Sequence, residues 1–445
     1  MVKSNAKKII RQTVSFCPQC YVKIKAQVVE EEGRIFLEKQ CPSHGHFKLL
    51  LSNHPAYYKK LHDIYFTLFK KSQKQRDYLL NVTSRCNLNC PICLSNSNSR
   101  VLKDYPLEKL KEFLKDKKGY KIGLMGAEPT LREDLPEIIR EIKISGNIPE
   151  LHTNGIKIAD IEYLKQLKNA GLREIHLQFD GFNDDIYLKI RGARLLDIKF
   201  RALENINKLN LSVDLKVTVV KGVNEDQMGK ILEFASQHEF IKEVFYIGCR
   251  ALGRAKEIKN DFFYMPDELM DILITQCSDL LSREDLLNFE MVYFFLLWLF
   301  ASRKCFYNQH YLLVRKQGKL KPIAEFIDLN SWRKKIENFI EKQKLNKAIG
   351  IIKILPELIK LKKIIYFFKL FNLSTLLYEG FDISKIPSDF LLLGFISACD
   401  SFSYDEDIAK NCGKGAISLE LGIQDIGAQD NVLREKFDYE NTGTI

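Results

Sequence analysis

The chain has 445 residues, of which 46% are hydrophobic and 28% are charged, a composition typical of a folded protein rather than a disordered one. Its length exceeds that of one small domain and predicts a catalytic domain with smaller attachments at both ends. The net charge of +11 favours a phosphate-bearing partner such as nucleic acid, anionic lipid or a phosphorylated cofactor, although solvated helix faces rich in lysine explain it equally well.

The first residues carry no export signal. The segment MVKSNAKKIIRQTVSF lacks the apolar core and the small-residue cleavage site of a secretory peptide. The longest apolar run, residues 291–301, is about half of the ~20 residues that span a bilayer. We therefore expect a cytoplasmic protein, in which the eleven cysteines are metal ligands or core residues before they are disulfides.

Two short motifs near the beginning of the chain predict a metal site. Cys17-Pro-Gln-Cys20 is followed by Cys41-Pro-Ser-His44, and two such knuckles at this separation suit one tetrahedral ion. Zinc and a single iron fit equally, and a metal-free pair of turns is the alternative. His44 keeps the two-residue spacing, so we prefer it to His46 as the fourth ligand. Such a closed site stabilises a region that is too small to hold itself together by its core.

Short apolar runs alternate with segments of helical period from about residue 77, the pattern of repeated βα units on a parallel sheet. Six units predict an α/β fold, a partial (β/α)6 barrel of the TIM type, with working residues at the carboxyl ends of the strands. The predicted strands are residues 78–83, 121–125, 149–153, 174–179, 213–220 and 242–248. The three predicted regions, a metal-binding region, this core and a mostly helical C-terminal region, are residues 1–72, 73–258 and 259–445.

Three cysteines follow the first predicted strand in the sequence CNLNCPIC. Cys86, Cys90 and Cys93 have the spacing Cys-x3-Cys-x2-Cys, and three thiolates bind three irons of a [4Fe-4S] cube while the fourth iron stays open to another ligand. A structural zinc site and a ferredoxin-like redox cluster are the alternatives.

Motifs at four further strand ends favour one of these alternatives. They are Gly126-Ala127-Glu128-Pro129, His152-Thr153-Asn154-Gly155, Gln178-Phe179-Asp180-Gly181 and Val219-Val220-Lys221-Gly222. Each motif alone is weak evidence for a binding site, because Asn-Gly and Asp-Gly are common turns. Four such motifs that follow successive strands are stronger evidence.

The cysteine triplet and the strand-end motifs together resemble the radical S-adenosylmethionine (SAM) superfamily. The resemblance implies that SAM chelates the open iron and is cleaved to a 5'-deoxyadenosyl radical, which abstracts hydrogen from an unactivated C–H bond. It also implies a reducing partner such as ferredoxin or flavodoxin. The SAM contacts that it implies are Gly126, Ala127, Glu128, Pro129, Thr153, Asn154, Gln178, Asp180 and Val220, with Ile92 where family members usually carry an aromatic residue.

A narrower resemblance covers residues 15–255 well and the C-terminal region more loosely. It is to the radical SAM group that contains archaeal tetraether lipid synthase and methanopterin-related methyltransferases. We therefore expect an enzyme that acts on an apolar or phosphorylated small molecule, in the first place by C–C bond formation on a lipid-like substrate. Methyl transfer to a pterin and modification of a peptide or RNA are the alternatives, and a zinc and Fe–S binding module without radical chemistry is the outside hypothesis. Nucleic acid is not favoured as a partner.

The C-terminal region leaves two alternatives open. Cys305, Cys399 and Cys412 have no short mutual spacing, so they are either ligands of an auxiliary Fe–S cluster or ordinary buried thiols. The related group usually ends with a further cysteine near an Asn, whereas this chain has EKFDYEN. The apolar run 291–300 and the basic amphipathic stretch 347–371 either face a membrane surface or form buried helices, and burial is favoured.

Overall fold

In a computed structural model, the described residues form two β-sheets. The residues that it describes are 7–70, 75–99, 102–257, 263–299, 302–342 and 383–442.

The first sheet is formed by the N-terminal region and is antiparallel throughout, with its strands in sequence order. The four strands are β1 Lys8–Phe16, β2 Lys23–Glu31, β3 Arg34–Cys41 and β4 Gly45–Ser52. The predicted metal ligands lie in the two turns at one end of this sheet, because Cys17 directly follows β1 and His44 joins β3 to β4.

The second, main sheet contains all six predicted strands, each within about two residues of its expected bounds. These strands pair in parallel and in sequence order, because each is connected to the next by a helical crossover. They are β5 Asp77–Thr83, β6 Lys121–Gly126, β7 Ile148–Thr153, β8 Glu174–Gln178, β9 Ser212–Val219 and β10 Ile241–Gly248.

The C-terminal region extends the main sheet at both ends. Phe390–Ser397 (β13) pairs in parallel with β10, and Gly415–Ser418 (β14) pairs in parallel with β5. The antiparallel strands Gln309–Lys316 (β11) and Lys319–Pro322 (β12) lie beyond β13, and Gly422–Gln424 (β15) lies beyond β14. Eight neighbouring strands are therefore parallel, and two of them come from the region predicted to be mostly helical.

Helices pack on both sheets, and the crossover helices between the parallel strands cover one face of the main sheet. Their apolar side chains point to the sheet, as Leu135, Ile138, Ile139 and Ile142 do in the third helix. The helices are α1 Pro55–Leu68, α2 Leu107–Leu114, α3 Leu135–Ile144, α4 Ile161–Ala170, α5 Asp184–Arg191, α6 Leu196–Lys208, α7 Met228–Ser236, α8 Pro266–Gln276, α9 Arg283–Leu299, α10 Leu329–Lys342, α11 Glu406–Ala409 and α12 Gly427–Thr442.

The apolar run beginning at Met291 lies in α9, and most of its side chains are buried against α1, α10 and β11. Residues 291–299 therefore form a core helix, the favoured of the two sequence interpretations. None of the described helices combines the length and the apolar composition that crossing a bilayer requires. The stretch 347–371 lies outside the described residues.

Candidate functional site

The loop with the three clustered cysteines follows β5 and is tied down by its own polar side chains. Asn98 accepts a hydrogen bond from the backbone nitrogen of Cys86 (2.9 Å) and donates to the carbonyl oxygens of Cys86 (3.1 Å) and Leu88 (3.2 Å). Burial raises the pKa of the Cys86 thiol to about 11, and the nearby Cys90 and Cys93 add to that rise. Three thiols that disfavour one another's ionisation are an arrangement that a bound cation relieves.

Arg254, six residues after the end of β10, contacts the same loop from the opposite end of the six-stranded core. Its guanidinium donates to the carbonyl oxygens of Cys90 (2.8 Å) and Ser97 (2.7 Å), and its backbone nitrogen donates to that of Cys93 (3.0 Å). Gly253 permits this approach, because a Cβ at that position would lie 2.2 Å from the Cys93 carbonyl oxygen. The sequence analysis missed Arg254, although a Gly-Arg pair directly after a predicted strand is a signal that could have found it.

Glu128 joins the second and third strand ends. Its carboxylate, 1% exposed, accepts hydrogen bonds from Thr130 and from the Thr153 hydroxyl (2.7 Å) and the Asn154 backbone nitrogen (2.8 Å). These bonds engage both carboxylate oxygens, so Glu128 orients its neighbours. The neighbouring backbone of Gly126 and Ala127 is left to approach a ligand.

The third strand end contacts the cysteine loop directly. The Asn154 amide donates to the Asn87 side chain (2.7 Å) and lies 4.0 Å from the Cys86 sulfur. Lys199 of α6 lies behind it and donates to the Asn154 carbonyl oxygen and to the Gln178 side chain (2.6 Å). Lys199 is fully buried, and burial lowers its pKa from 10.5 to about 7. A lysine on a predicted helix gave no sequence signal of this role.

The fourth strand end carries a buried ion pair. Asp180, fully buried, accepts from the guanidinium of Arg191 at 2.7 and 3.0 Å and from the backbone nitrogen of Thr218 at 3.1 Å. Burial raises the pKa of the nearby Cys90 thiol, and the charge of Arg191 offsets part of that rise. Arg191 was not predicted from the sequence either. Its position, eleven residues after Asp180 at the end of a helix, is the signal that could have found it.

The fifth strand end supplies an apolar surface next to the cysteine loop. Ile92 and Val220 belong to one buried cluster, together with Cys249, Ile186 and Phe263. The side chain that replaces the usual aromatic residue and the end of β9 therefore lie on the same apolar patch.

All five predicted strand-end motifs thus converge on the carboxyl edge of the main sheet. Pro129 is buried at the start of a short 3-10 turn, and Ala127 donates its backbone N–H to the Thr83 carbonyl oxygen at 3.1 Å. A cleft of about 370 Å³ opens between the cysteine loop, Gly126 and Ala127 on one side and Glu420 and Arg434 of the C-terminal region on the other.

The N-terminal motifs also converge. Potential ligand atoms of Cys17, Cys20, Cys41 and His44 all lie within 4.8 Å of one another. The His44 Nδ1 atom is 3.6 Å from the Cys17 sulfur and 3.4 Å from that of Cys41, whereas His46 is exposed and faces Glu38. Burial opposes ionisation of Cys41, but hydrogen bonds from His44 and the backbone bring its pKa down to about 6. This is the donor set of a tetrahedral zinc or iron site.

The three C-terminal cysteines come close enough to influence one another's charge. Burial raises the pKa of Cys399, and Cys305 and Cys412 raise it further. Burial and Cys412 raise that of Cys305 in the same way. Cys305 therefore lies near Cys399 and Cys412 in space, although the three sulfur atoms do not all lie within 4.8 Å of one another.

Two family models match the chain. The Radical SAM superfamily model covers residues 80–235, and the HMPTM N-terminal zinc ribbon domain model covers residues 9–53. A curated relative, 7,8-dihydro-6-hydroxymethylpterin dimethyltransferase of Methanocaldococcus jannaschii, is 31% identical in an alignment of 454 positions that covers 90% of this chain and 90% of the relative.

Other similar proteins match a smaller part of the chain. A probable GTP 3',8-cyclase of Pyrococcus abyssi is 29% identical over 188 residues, 42% of this chain and 61% of the relative. Among solved structures, Streptococcus suis SuiB bound to S-adenosylmethionine is similar with a TM-score of 0.40 and 14% identity, over 60% of this chain and 70% of that one.

Proposed function

Because the chain belongs to the radical SAM superfamily, and so works with a [4Fe-4S] cluster and SAM, we propose that its reaction is the methylation of a reduced pterin. The observation that carries this proposal is the match to the pterin dimethyltransferase, which runs through 90% of both chains. A match confined to the barrel would support only the shared cofactor chemistry. This one includes the terminal regions, where the sequence itself gives no indication of a substrate.

The cluster and SAM supply the means to remove a hydrogen atom from an unactivated C–H bond, so the residues around them need to position the reactants and exclude water. We assign the cluster to Cys86, Cys90 and Cys93. The backbone of Gly126 and Ala127 and the side chains at the next two strand ends supply the polar contacts to SAM. Ile92 and Val220 supply the apolar ones. The convergence of these groups at one sheet edge supports the assignment.

The terminal cysteines complete the proposed metal content. The ribbon at the N-terminus holds a single zinc or iron ion, as the donor set and the family model indicate. For Cys305, Cys399 and Cys412 we propose an auxiliary Fe–S cluster, supported by the packing of Cys399 and Cys412 against one apolar cluster and by the effect of Cys305 and Cys412 on the pKa of Cys399. Cys412→Ser should lower the iron content of the reconstituted protein by about one cluster, and Cys277→Ser, on α8's end, is the matched control. Equal iron in both variants would identify the three residues as ordinary core thiols.

Other expectations about partners and substrate stay predictions. The superfamily requires a reductant, and we propose ferredoxin or flavodoxin as the physiological one. The cytoplasmic location stays a prediction. C–C bond formation on a lipid and contact with a membrane surface receive no support from the relatives, and α9, one of the two segments that suggested them, is buried.

The proposed reaction replaces a C–H hydrogen of the pterin by a methyl group. One SAM would carry the hydrogen away as 5'-deoxyadenosine and leave methionine, a second SAM would donate the methyl group and leave as S-adenosylhomocysteine, and the reductant would supply two electrons. The reaction is tested with anaerobically reconstituted protein, dithionite, SAM and 7,8-dihydro-6-hydroxymethylpterin. We expect 5'-deoxyadenosine and a pterin product heavier by one or more methyl groups, neither of which Cys90→Ala should form. SAM with a deuterated methyl group shows whether that group enters the product. If an intact cluster yields 5'-deoxyadenosine but no methylated pterin, the substrate is wrong. If it yields no 5'-deoxyadenosine at all, radical cleavage of SAM is wrong as well.

A further inference from the structure

One face of the main sheet stays partly open near the carboxyl ends of its strands. On each of six neighbouring strands, β6 to β10 and β13, at least one residue of this face is partly exposed, and the register of the sheet places the six residues named next on the same side. These residues are Met125, His152, Gln178, Lys216, Ile247 and Ile396. Their neighbours on the helix-covered side, Leu124, Leu151, Leu177, Val217, Tyr246 and Phe395, are 0% exposed. Solvent therefore reaches this face of the sheet, and we call the space in front of it the lumen.

The floor of the lumen is a closed layer of charges. His176 bridges Asp214 (2.9 Å) and Glu174 (2.8 Å), and Lys121 pairs with Glu174 and with Glu150. All of these side chains are less than 5% exposed. Because each carboxylate of this layer faces Lys121 or His176, the layer supports the groups above it.

His152 stands on this floor with one buried ring nitrogen unpaired. Its Nε2 atom forms no hydrogen bond with any residue that the structure describes. The ring stacks on that of His176 with centroids 4.2 Å apart, and its Nε2 atom is 3.6 Å from Glu150. Burial, His176 and the charge of Lys216 hold the pKa of His152 well below its ordinary value of 6.5, so the imidazole is neutral. A neutral imidazole has one donor and one acceptor nitrogen, and leaving the buried Nε2 atom without a partner is unfavourable.

Lys216 presents a fixed positive charge to the same space. It pairs with Asp214, its ammonium lies 3.9 Å from the centroid of the Phe245 ring, and 20% of its side chain is exposed. The register places it beside Gln178. His152, 22% exposed, precedes Asn154 by two residues on β7. Both groups therefore lie about 7 Å or less below the proposed SAM layer, given a rise of ~3.3 Å per strand residue.

We propose that His152 and Lys216 recognise the polar edge of the substrate, a flat neutral heterocycle with neighbouring amide and amino groups. This assignment rests on the proposed function, in which that heterocycle is a reduced pterin. A neutral imidazole accepts from a ring N–H or an amino group, and the ammonium donates to the ring carbonyl oxygen. The heterocycle then lies between the charged floor and the cofactor layer, within reach of the C–H chemistry above it.

The test measures binding of 7,8-dihydro-6-hydroxymethylpterin to the reconstituted, SAM-loaded protein by equilibrium dialysis. His152→Ala and Lys216→Met should each weaken binding about tenfold or more, and His152→Gln should restore part of the loss. Lys230→Met and His238→Gln, which lie on and after α7 outside the lumen, are the matched controls and should bind as the unchanged protein does. The EPR signal of the reduced cluster with SAM should stay the same in all variants, since the cofactor layer is intact.

A change in the ligand gives a second, independent measurement. In the matching lumazine the amino group is replaced by an oxo group, so the unchanged protein should bind it about tenfold more weakly than the pterin, and His152→Ala should lose this discrimination. If the unchanged protein binds the pterin while the lumen variants bind it equally well, or discriminate as before, our assignment is wrong and the proposed function stands. If the unchanged protein neither binds nor methylates the pterin, the proposed function itself fails.

Discussion

Single side chains at the site act mostly through other side chains. Glu128 holds Thr153 and Asn154, Lys199 bridges Asn154 and Gln178, and Asp180 anchors Arg191. The motif residues named from the sequence thus form a connected network, and the two partners that complete it, Lys199 and Arg191, come from helices between the strands. Their long side chains extend back to the carboxyl edge of the sheet, and no local sequence pattern predicts this contact.

Asp180→Asn should destabilise the protein strongly. The substitution leaves the Arg191 guanidinium buried without its counter-ion, and breaking a buried pair in this way costs about 3–5 kcal/mol. Anaerobic urea denaturation measures the loss in the free energy of unfolding. Asp185→Asn, on the same helix as Arg191, removes an exposed partner of Arg194. It should change the free energy of unfolding by less than about 1 kcal/mol. Equal effects of the two substitutions would contradict the importance of burial here.

Lys199 should make stability depend on pH. Its pKa falls from 10.5 unfolded to about 7 folded, so between these values the unfolded chain binds the proton that the folded protein lacks. Stability then rises with pH across that window, by up to about 1.4 kcal/mol per unit, and the burial penalty is largest below pH 7. Subtracting the profile of Lys199→Met from that of the unchanged protein isolates this slope. A flat difference between pH 7 and 10 would show that the ammonium keeps its ordinary pKa.

Among the secondary-structure elements, the loops at the strand ends set the geometry of the site. The predicted strands occur as expected because each carries a short apolar run between helical segments, and the parallel order follows from the crossovers. The sequence did not single out β13, although FLLLGFIS is a short apolar run whose burial on both faces is typical of a central parallel strand. Nor could it show that the loop after β10 packs on the loop after β5, because that contact joins residues about 160 positions apart.

Gly253→Ala should impair the cysteine loop. The added Cβ would meet the Cys93 carbonyl oxygen at 2.2 Å, in a backbone conformation with φ of +53°. We expect less iron and sulfide per reconstituted protein and a weaker EPR signal from the reduced cluster. Gly222→Ala has a similar φ of +74° but nothing within 4 Å of its Cβ, so it separates the clash from the backbone strain. Normal cluster content in Gly253→Ala would mean that the loop adapts.

The whole molecule is held together by contacts between its two ends. Arg11 of β1 pairs with Asp405, and Lys39 of β3 donates to the carbonyl oxygens of Ser401 and Phe402. The ring of Phe16, beside Cys17, packs on Tyr404. The N-terminal metal site therefore supports the segment that carries Cys399.

Removing the ribbon metal should loosen this segment without unfolding the barrel. A closed site of this kind supplies much of the stability of the small sheet around it, so its loss frees β1 and β3 from the segment 399–405. Hydrogen exchange of Cys41→Ser should show faster exchange in β1–β4 and in residues 399–412, with β7–β9 unchanged. Arg34→Ala, at the exposed first residue of β3, is the control. Unchanged exchange at 399–412 would mean that this segment is stable without the ribbon.

The sequence by itself determined the local chemistry of this protein. Closely spaced cysteines, turn residues after strands and the alternation of strand and helix are encoded over a few neighbouring positions, and they predicted the cluster loop, the metal knuckle and the six-stranded core. The tertiary structure decided what depends on distant contacts: the partners Arg191, Lys199 and Arg254, the gathering of Cys305, Cys399 and Cys412, and the lumen with His152 and Lys216. These arise because strands far apart in the chain share one sheet face, where side-chain neighbours are set by register rather than by sequence distance.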